Sequence, residues 1–153
     1  MGVTTHDYTA TLAWEGSTAL GYEHYDRGHA AGVGGEQLEL SADPSFGGDP
    51  ARLNPEQLLL AAASSCQLLS FLAVAARARL DVVGYRDAAQ AVMDEADPPL
   101  RVGRITLRPE VTVRGDVPDS RVHHLLEVAH RECFVARSLT SEVVIEATVV
   151  RAT

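Results

Sequence analysis

Asn54-Pro55-Glu56-Gln57-Leu58-Leu59-Leu60-Ala61-Ala62-Ala63-Ser64-Ser65-Cys66-Gln67 opens the stretch on which the fold turns, and Leu68-Leu69-Ser70-Phe71-Leu72-Ala73-Val74-Ala75-Ala76-Arg77 continues it. Asn54 is a favoured N-cap and Pro55 suits the first helical position. Glu56 and Gln57 complement the exposed amides and the positive end of the helix dipole. The pattern predicts a helix to about Arg79. It is apolar almost all round, which places it centrally. Leu58 to Ala76, 19 residues, approaches membrane-spanning length. Ser64, Ser65, Gln67 and Ser70 interrupt it, so it reads as a buried core helix rather than a span.

Upstream, Thr5 to Glu15 alternates. His6, Tyr8, Ala10, Leu12 and Trp14 fall on one face and polar residues on the other, a strand signal. Gly16 to Gly35 is glycine-rich, with a short strand candidate at Tyr22 to Tyr25 and another at Gln37 to Leu40. Ser41 to Leu53 carries Asp43-Pro44 and Gly47-Gly48-Asp49-Pro50 and reads as loop. Downstream, Val82 to Met93 is ambiguous. Its alanines favour helix, whereas Tyr85, Val92 and the nearby Gly84 permit a strand. Asp94 to Pro99 is loop. Ile105 to Arg114 alternates as a one-sided strand, and Pro109 within it suggests an edge or a bulge. Asp119 can cap a second helix with an apolar face of Val122, Leu125, Leu126, Ala129 and Cys133. Ser141 to Arg151 closes as a strand. The 153 residues are expected to form one α+β domain, large enough for its own core.

Charge narrows the function. The chain carries 21 acidic and 13 basic residues, a net charge of −8. That opposes nucleic-acid binding. All 13 basic residues are Arg, so lysine Schiff bases and phosphate-loop lysines are excluded. No basic segment followed by an apolar run opens the chain. The cytoplasm is therefore the expected location, where two cysteines favour reduced, catalytic or redox roles.

Read by chemistry alone, Cys66 and Cys133 are small core hydrophobes, since free cysteine is among the most buried residue types. His123, Glu127, His130 and Cys133 carry metal-ligand chemistry, but the stripe flanks the apolar face and reads as a solvated helix edge. Gly32-x-Gly34-Gly35 neither follows a clear strand nor opens a helix, so it is loop and not a dinucleotide site. Ser64 and Ser65 lack the turn of a hydrolase nucleophile. Arg27 reads as a solvated loop charge and Glu56 as a helix-start carboxylate.

Together these residues resemble a known family. Asn54 to Cys66 resembles the active-site helix of the OsmC/Ohr family, the osmotically inducible and organic hydroperoxide resistance proteins. Ala129-His130-Arg131-Glu132-Cys133-Phe134-Val135-Ala136-Arg137-Ser138-Leu139 resembles its second-cysteine segment. Trp14-Glu15-Gly16 and Ser41 to Asp49 also fit. The stretch from Tyr22 to Pro50 departs from the hydroperoxide resistance proteins and points to another OsmC-like branch.

The resemblance implies an intertwined homodimer, with central helices enclosed by curved antiparallel sheets, and a strand over Val82 to Met93. It implies a thiol peroxidase for organic hydroperoxides that uses no metal, haem or flavin. Cys66 then matches the peroxidatic cysteine, Cys133 the resolving one and Glu56 the family carboxylate. Arg27 fits the early-loop arginine, with Arg52 the competitor. A Cys66–Cys133 disulfide would be reduced by an external dithiol, commonly a lipoylated protein. The alternative is a catalytically silent binding module of the same fold.

The chemistry explains why such residues are needed. A free thiol is only a few per cent ionised at neutral pH, and burial makes the anion harder to form. An arginine fork can hold both thiolate and peroxide oxygen. Glu56 lies about 15 Å from Cys66 along a straight helix, so either Arg27 bridges them or the helix breaks near Ser64-Ser65.

Overall fold

The computed structural model describes residues 2–153. The chain forms two compact units, one reaching to Leu58 and the other running from Leu59 to Thr153.

The first unit holds a three-stranded antiparallel sheet in the order β1 (Ala10–Ala13), β2 (His29–Val33), β3 (Glu36–Leu40). The strand expected over Thr5 to Glu15 shrinks to four residues, and both its faces are open: Tyr8 and Leu12 are largely exposed. Tyr22 to Tyr25 is not a strand. A 3-10 turn at Thr18–Leu20 ends on Gly21 in the left-handed region, and the following residues turn. The glycine-rich Gly32 to Gly35 is not all loop. Gly32 is inside β2, and Gly34 and Gly35, both at positive φ, make the two-residue turn into β3. Gly32 pairs with Thr11, whose hydroxyl leaves no room for a Cβ.

The helix α1 (Pro55–Arg77) starts as expected. The Asn54 side-chain oxygen accepts from the Gln57 amide at 2.9 Å, and the Gln57 side chain accepts from the Asn54 amide at 3.0 Å. Two otherwise orphaned donors are thus satisfied reciprocally. At the far end the Leu80 amide reaches Ala75 O at 2.9 Å and the Arg79 amide reaches Ala76 O at 3.1 Å. Arg79 takes φ 57°, the left-handed position that usually falls to glycine. Leu80 is then buried against the core.

The second unit builds two sheets, each of three strands. One has the order β4 (Val82–Asp87), β7 (Pro109–Val113), β9 (Thr148–Arg151). The other has the order β5 (Gln90–Met93), β6 (Val102–Leu107), β8 (Glu142–Ile145). Val82 to Met93 is therefore strand, split between the sheets at Ala88-Ala89. The stretch read as one strand from Ile105 to Arg114 is two, divided at Arg108, and Ser141 to Arg151 is likewise divided at Glu146-Ala147. The alternation of Ile105, Leu107, Pro109, Val111 and Val113, all buried, runs unbroken across the division. Periodicity alone could not reveal it. Pro109 is the first residue of β7, where its missing N–H costs no ladder bond. β6 and β7 pair antiparallel with β5 and β4, and parallel with β8 and β9.

The helix α2 (Asp119–Glu132) lays Val122, Leu126 and Ala129 against Phe71, Val74, Ala75, Val111 and Val113. Asp119 is not its cap. Pro118 stands there and Asp119 is the first helical residue, paired with Arg151. A second cluster joins Ala63 to Ile105 and Leu107. The expectation of a helix buried all round holds for one face of α1. Ala62, Ser65, Leu69, Leu72 and Ala76, three and four residues apart, are exposed, with Leu69 at 63%. Only 28% of the helix's most apolar window is buried, though its mean hydropathy is 2.0.

Candidate active site

Cys66 lies on α1 between its buried and open faces. Cys133 follows the last residue of α2 and is buried. Its extended backbone, φ −68° and ψ 114°, stops α2, and the chain restarts as the short helix α3 (Phe134–Arg137). That break frees the amides of Phe134, Val135 and Ala136 from α2's own ladder. Residues 133–139 pack beside α1, with Val135 and Leu139 in the same cluster as Ala63.

The two cysteines are free, with no disulfide between them, and lie near enough for each to shift the other's thiol. Partial burial works against the Cys66 anion. The amide of Val135, the Cys133 thiol, the amide of Phe134 and the Ser70 hydroxyl outweigh it and hold the thiol below its ordinary value. Burial pushes the Cys133 thiol up; the Ala136 amide opposes this, and the neighbouring Cys66 sulfur adds to it. Cys66 is thus the more readily ionised of the two thiols and Cys133 the less.

Ser64, two residues before Cys66 on α1, donates to Asp87 at the end of β4 at 2.5 Å. The other Asp87 oxygen accepts from the Arg108 amide at 2.7 Å. This ties α1 to the division between the sheets. α1 does not break near Ser64-Ser65; it is continuous from Pro55 to Arg77.

The remaining expected residues belong to the first unit. Arg27 is held by its own loop: its guanidinium donates to Tyr25 O at 3.0 Å and Tyr22 O at 2.6 Å, and stacks 4.1 Å from the Tyr25 ring and 4.9 Å from the Tyr22 ring. Gly47, at φ 78°, lets the backbone approach the guanidinium; a Cβ there would lie 2.9 Å from its central carbon. Arg27 has no carboxylate within salt-bridge distance among the described residues, whereas Arg52 pairs with Glu39 at 3.5 Å and Asp49 at 3.7 Å. Arg27 also lines a cavity of about 420 Å³ with Trp14, Tyr25, His29, Ser41 and Pro55. Glu56 is half-buried in the first turn of α1.

His123 and Glu127 are exposed, and His130 is half-buried with no partner for its Nδ1. Among the described residues no group of three or more His, Cys, Asp or Glu could hold a metal ion. Sequence reasoning missed Ser70 and the Phe134 and Val135 amides. Ser70 could have been found, since it stands one helical turn beyond Cys66. The amides depend on the chain break at Cys133, which leaves no mark in the apolar pattern.

The chain matches the family described as OsmC-like protein over residues 47–148. Among curated proteins no relative matches. Among solved structures it is similar to an OsmC-like protein of unknown function from Vibrio cholerae, with 28% identity and a TM-score of 0.85, covering 94% of this chain and 100% of that one. An organic hydroperoxide resistance protein from Elizabethkingia anophelis is 17% identical, with a TM-score of 0.70 and coverage of 97% and 99%. An organic hydroperoxide resistance protein OsmC from Legionella pneumophila is 16% identical, with a TM-score of 0.68 and coverage of 96% and 98%.

Proposed function

The chain belongs to the OsmC-like protein family, and from that premise we propose that it is a cytoplasmic thiol peroxidase that reduces organic hydroperoxides to alcohols. The observation that carries this reading is the pair of free cysteines brought together from α1 and the end of α2, with thiols shifted in opposite directions. The Cys66 thiolate attacks the terminal peroxide oxygen. The O–O bond breaks, the alkoxide leaves and takes a proton, and Cys66 becomes a sulfenic acid. Cys133 attacks that sulfur, giving the Cys66–Cys133 disulfide and water. An external dithiol, such as a lipoyl group carried on a partner protein, restores both thiols by exchange. Arg27 is the proposed cation for the peroxide oxygens, because among the described residues no carboxylate lies within salt-bridge distance of it. Glu56 is its proposed orienting carboxylate. A homodimer that covers the open stripe of α1 is part of the same proposal.

The first-unit cavity lined by Trp14, Tyr25 and Arg27 favours a second reading, a catalytically silent module that binds a small molecule there. Hydroperoxide consumption by purified protein with excess dithiol separates the two. Turnover of cumene hydroperoxide, faster than that of hydrogen peroxide, supports the peroxidase. No turnover of either, with both thiols intact by mass spectrometry, supports the binding module.

A further inference from the structure

Gln67 follows Cys66 directly and stands on the buried face of α1, between Ala63 and Phe71. It is fully buried. Its side-chain nitrogen donates to Leu126 O of α2 at 3.2 Å, while its Oε1, sealed from solvent, has no hydrogen-bond partner among the described residues. Leaving a buried amide oxygen unpaired costs stability, and a methionine or leucine would fill the same place without that cost. The contact around it, Phe71, Val74 and Ala75 against Val122, Leu126 and Ala129, is apolar. Apolar contact holds two helices together, but it fixes their register less sharply than a bond with a required distance and angle. Among the described residues the other side-chain bond between α1 and α2, from Arg77 to Glu132 at 3.4 Å, is exposed.

The bond leads from one cysteine toward the other. Leu126 O is also the acceptor that α2's own ladder assigns to the amide of His130, four residues on, so Gln67 takes the carbonyl's second lone pair. His130 O in turn accepts from the Cys133 amide at 3.2 Å. One end of the grip is therefore the neighbour of Cys66 on a continuous helix, and the other is the turn from which Cys133 hangs. We propose that Gln67 is a positioning residue for the cysteine pair, its amide holding the end of α2 in the register from which Cys133 closes on Cys66. The inference rests on the reading of Cys66 and Cys133 as a redox pair. It also accounts for the unpaired oxygen, since a carboxamide cannot supply the N–H without it.

The test reads disulfide formation rather than peroxidase activity. Protein is equilibrated in mixtures of oxidised and reduced dithiothreitol. The Cys66 and Cys133 thiols become a disulfide as oxidised dithiothreitol becomes the dithiol, with no other reactant, and mass spectrometry after alkylation gives the equilibrium constant. Gln67→Met keeps the side-chain length but has no donor. Its constant should fall by about tenfold, the scale of one hydrogen bond, because an unheld Cys133 must be ordered as the disulfide closes. The thermal midpoint of its reduced form should hold or rise, because an unpaired oxygen has been removed. Gln67→Leu should behave alike, and it keeps the test readable if methionine packs poorly. A wild-type constant in a folded variant overturns the proposal. A lower constant accompanied by a lower midpoint in both variants overturns it too, since the amide would then be merely structural. A wild-type protein that forms no intramolecular disulfide would sink both this proposal and the resolving role of Cys133. Absence of hydroperoxide turnover in a wild type that does form the disulfide would refute the peroxidase reading alone.

Discussion

Cys66 and Cys133 act on each other in opposite directions: Cys133 helps to lower the Cys66 thiol, and Cys66 helps to raise the Cys133 thiol. A thiol donating to its neighbour stabilises the neighbour as an anion and holds on to its own proton. In the proposed two-cysteine cycle that asymmetry would set the order of events, Cys66 ionising first and Cys133 following.

Alkylation should follow that order. A lowered thiol ionises at lower pH, so Cys66 should react with iodoacetamide at a pH where Cys133 is still silent. Burial of Cys133 works in the same direction. Removing the hydroxyl in Ser70→Ala takes away one donor, and should move the Cys66 alkylation midpoint upward. The measurement is peptide-resolved alkylation against pH. A midpoint for Cys66 at or above that of Cys133 would refute the arrangement.

The cysteines should also separate in their products. One equivalent of organic hydroperoxide should yield one intramolecular disulfide. Cys66→Ser should abolish turnover. Cys133→Ser should permit one oxidation, then accumulate sulfenic and sulfinic acid on Cys66. Intact-mass spectrometry reads all three. If the Cys133→Ser variant accumulates no oxidised Cys66, its resolving role fails.

Much of this arrangement was legible in the sequence, and what was hidden has a physical cause. The Asn54-Pro55-Glu56-Gln57 start fixed the helix entry to the residue, because capping is local chemistry. The apolar faces of α2 and of the strand from Ile105 onward were right residue by residue. What periodicity could not show was where a strand leaves one sheet for another, since Ile105 to Val113 keeps alternating straight through Arg108. Tyr22 to Tyr25 misled for a different reason. Its aromatic residues suit a strand, but two of them carry the carbonyls and rings that hold Arg27. The thiol chemistry was only half visible. An apolar helix was expected to need a cation at Cys66, whereas amides freed by the break at Cys133 already lower the thiol.

The open stripe on α1 predicts association. Leu69 and Leu72 stand exposed at the centre of a helix whose mean hydropathy matches a membrane span, and uncovered apolar surface of this kind marks an interface. Light scattering should give twice the 16.4 kDa chain mass at micromolar concentration. Leu69→Asp should weaken the dimer by several kcal/mol, since a carboxylate would be buried without a partner. A wild-type monomer at that concentration would refute the proposed homodimer.

Capping gives a stability prediction independent of function. Asn54→Ala removes the acceptor for the Gln57 amide and the reciprocal hold on its side chain. It should cost about 1 kcal/mol by denaturant titration. The same variant should leave the order of cysteine alkylation unchanged, because none of the groups that hydrogen-bond Cys66 is touched. A larger loss, or a shifted alkylation order, would mean that Asn54 acts beyond the helix start.

The last prediction concerns the arginines. Arg52 pairs with Glu39 and Asp49, while Arg27 is fixed by two carbonyls and two tyrosine rings, with no carboxylate within salt-bridge distance among the described residues. A guanidinium held this way is immobilised yet keeps its field, which suits it to an anionic transition state. Burial, backbone amides, the Cys133 thiol and the Ser70 hydroxyl set the Cys66 thiol. Arg27 should therefore matter more to the peroxide than to the thiol. Arg27→Ala should lower kcat/KM for cumene hydroperoxide by at least about a hundredfold, the scale of losing one preorganised donor to a developing oxyanion. It should move the alkylation midpoint of Cys66 by much less than Ser70→Ala does. Arg27→Lys should not restore turnover, because an ammonium cannot reproduce the planar fork. Arg52→Ala should change both readings little, beyond the small contribution of exposed ion pairs. If Arg52→Ala abolishes turnover and Arg27→Ala does not, the assignment of the cation is wrong. If Arg27→Ala shifts the thiol as far as it slows turnover, the cation acts through the sulfur after all.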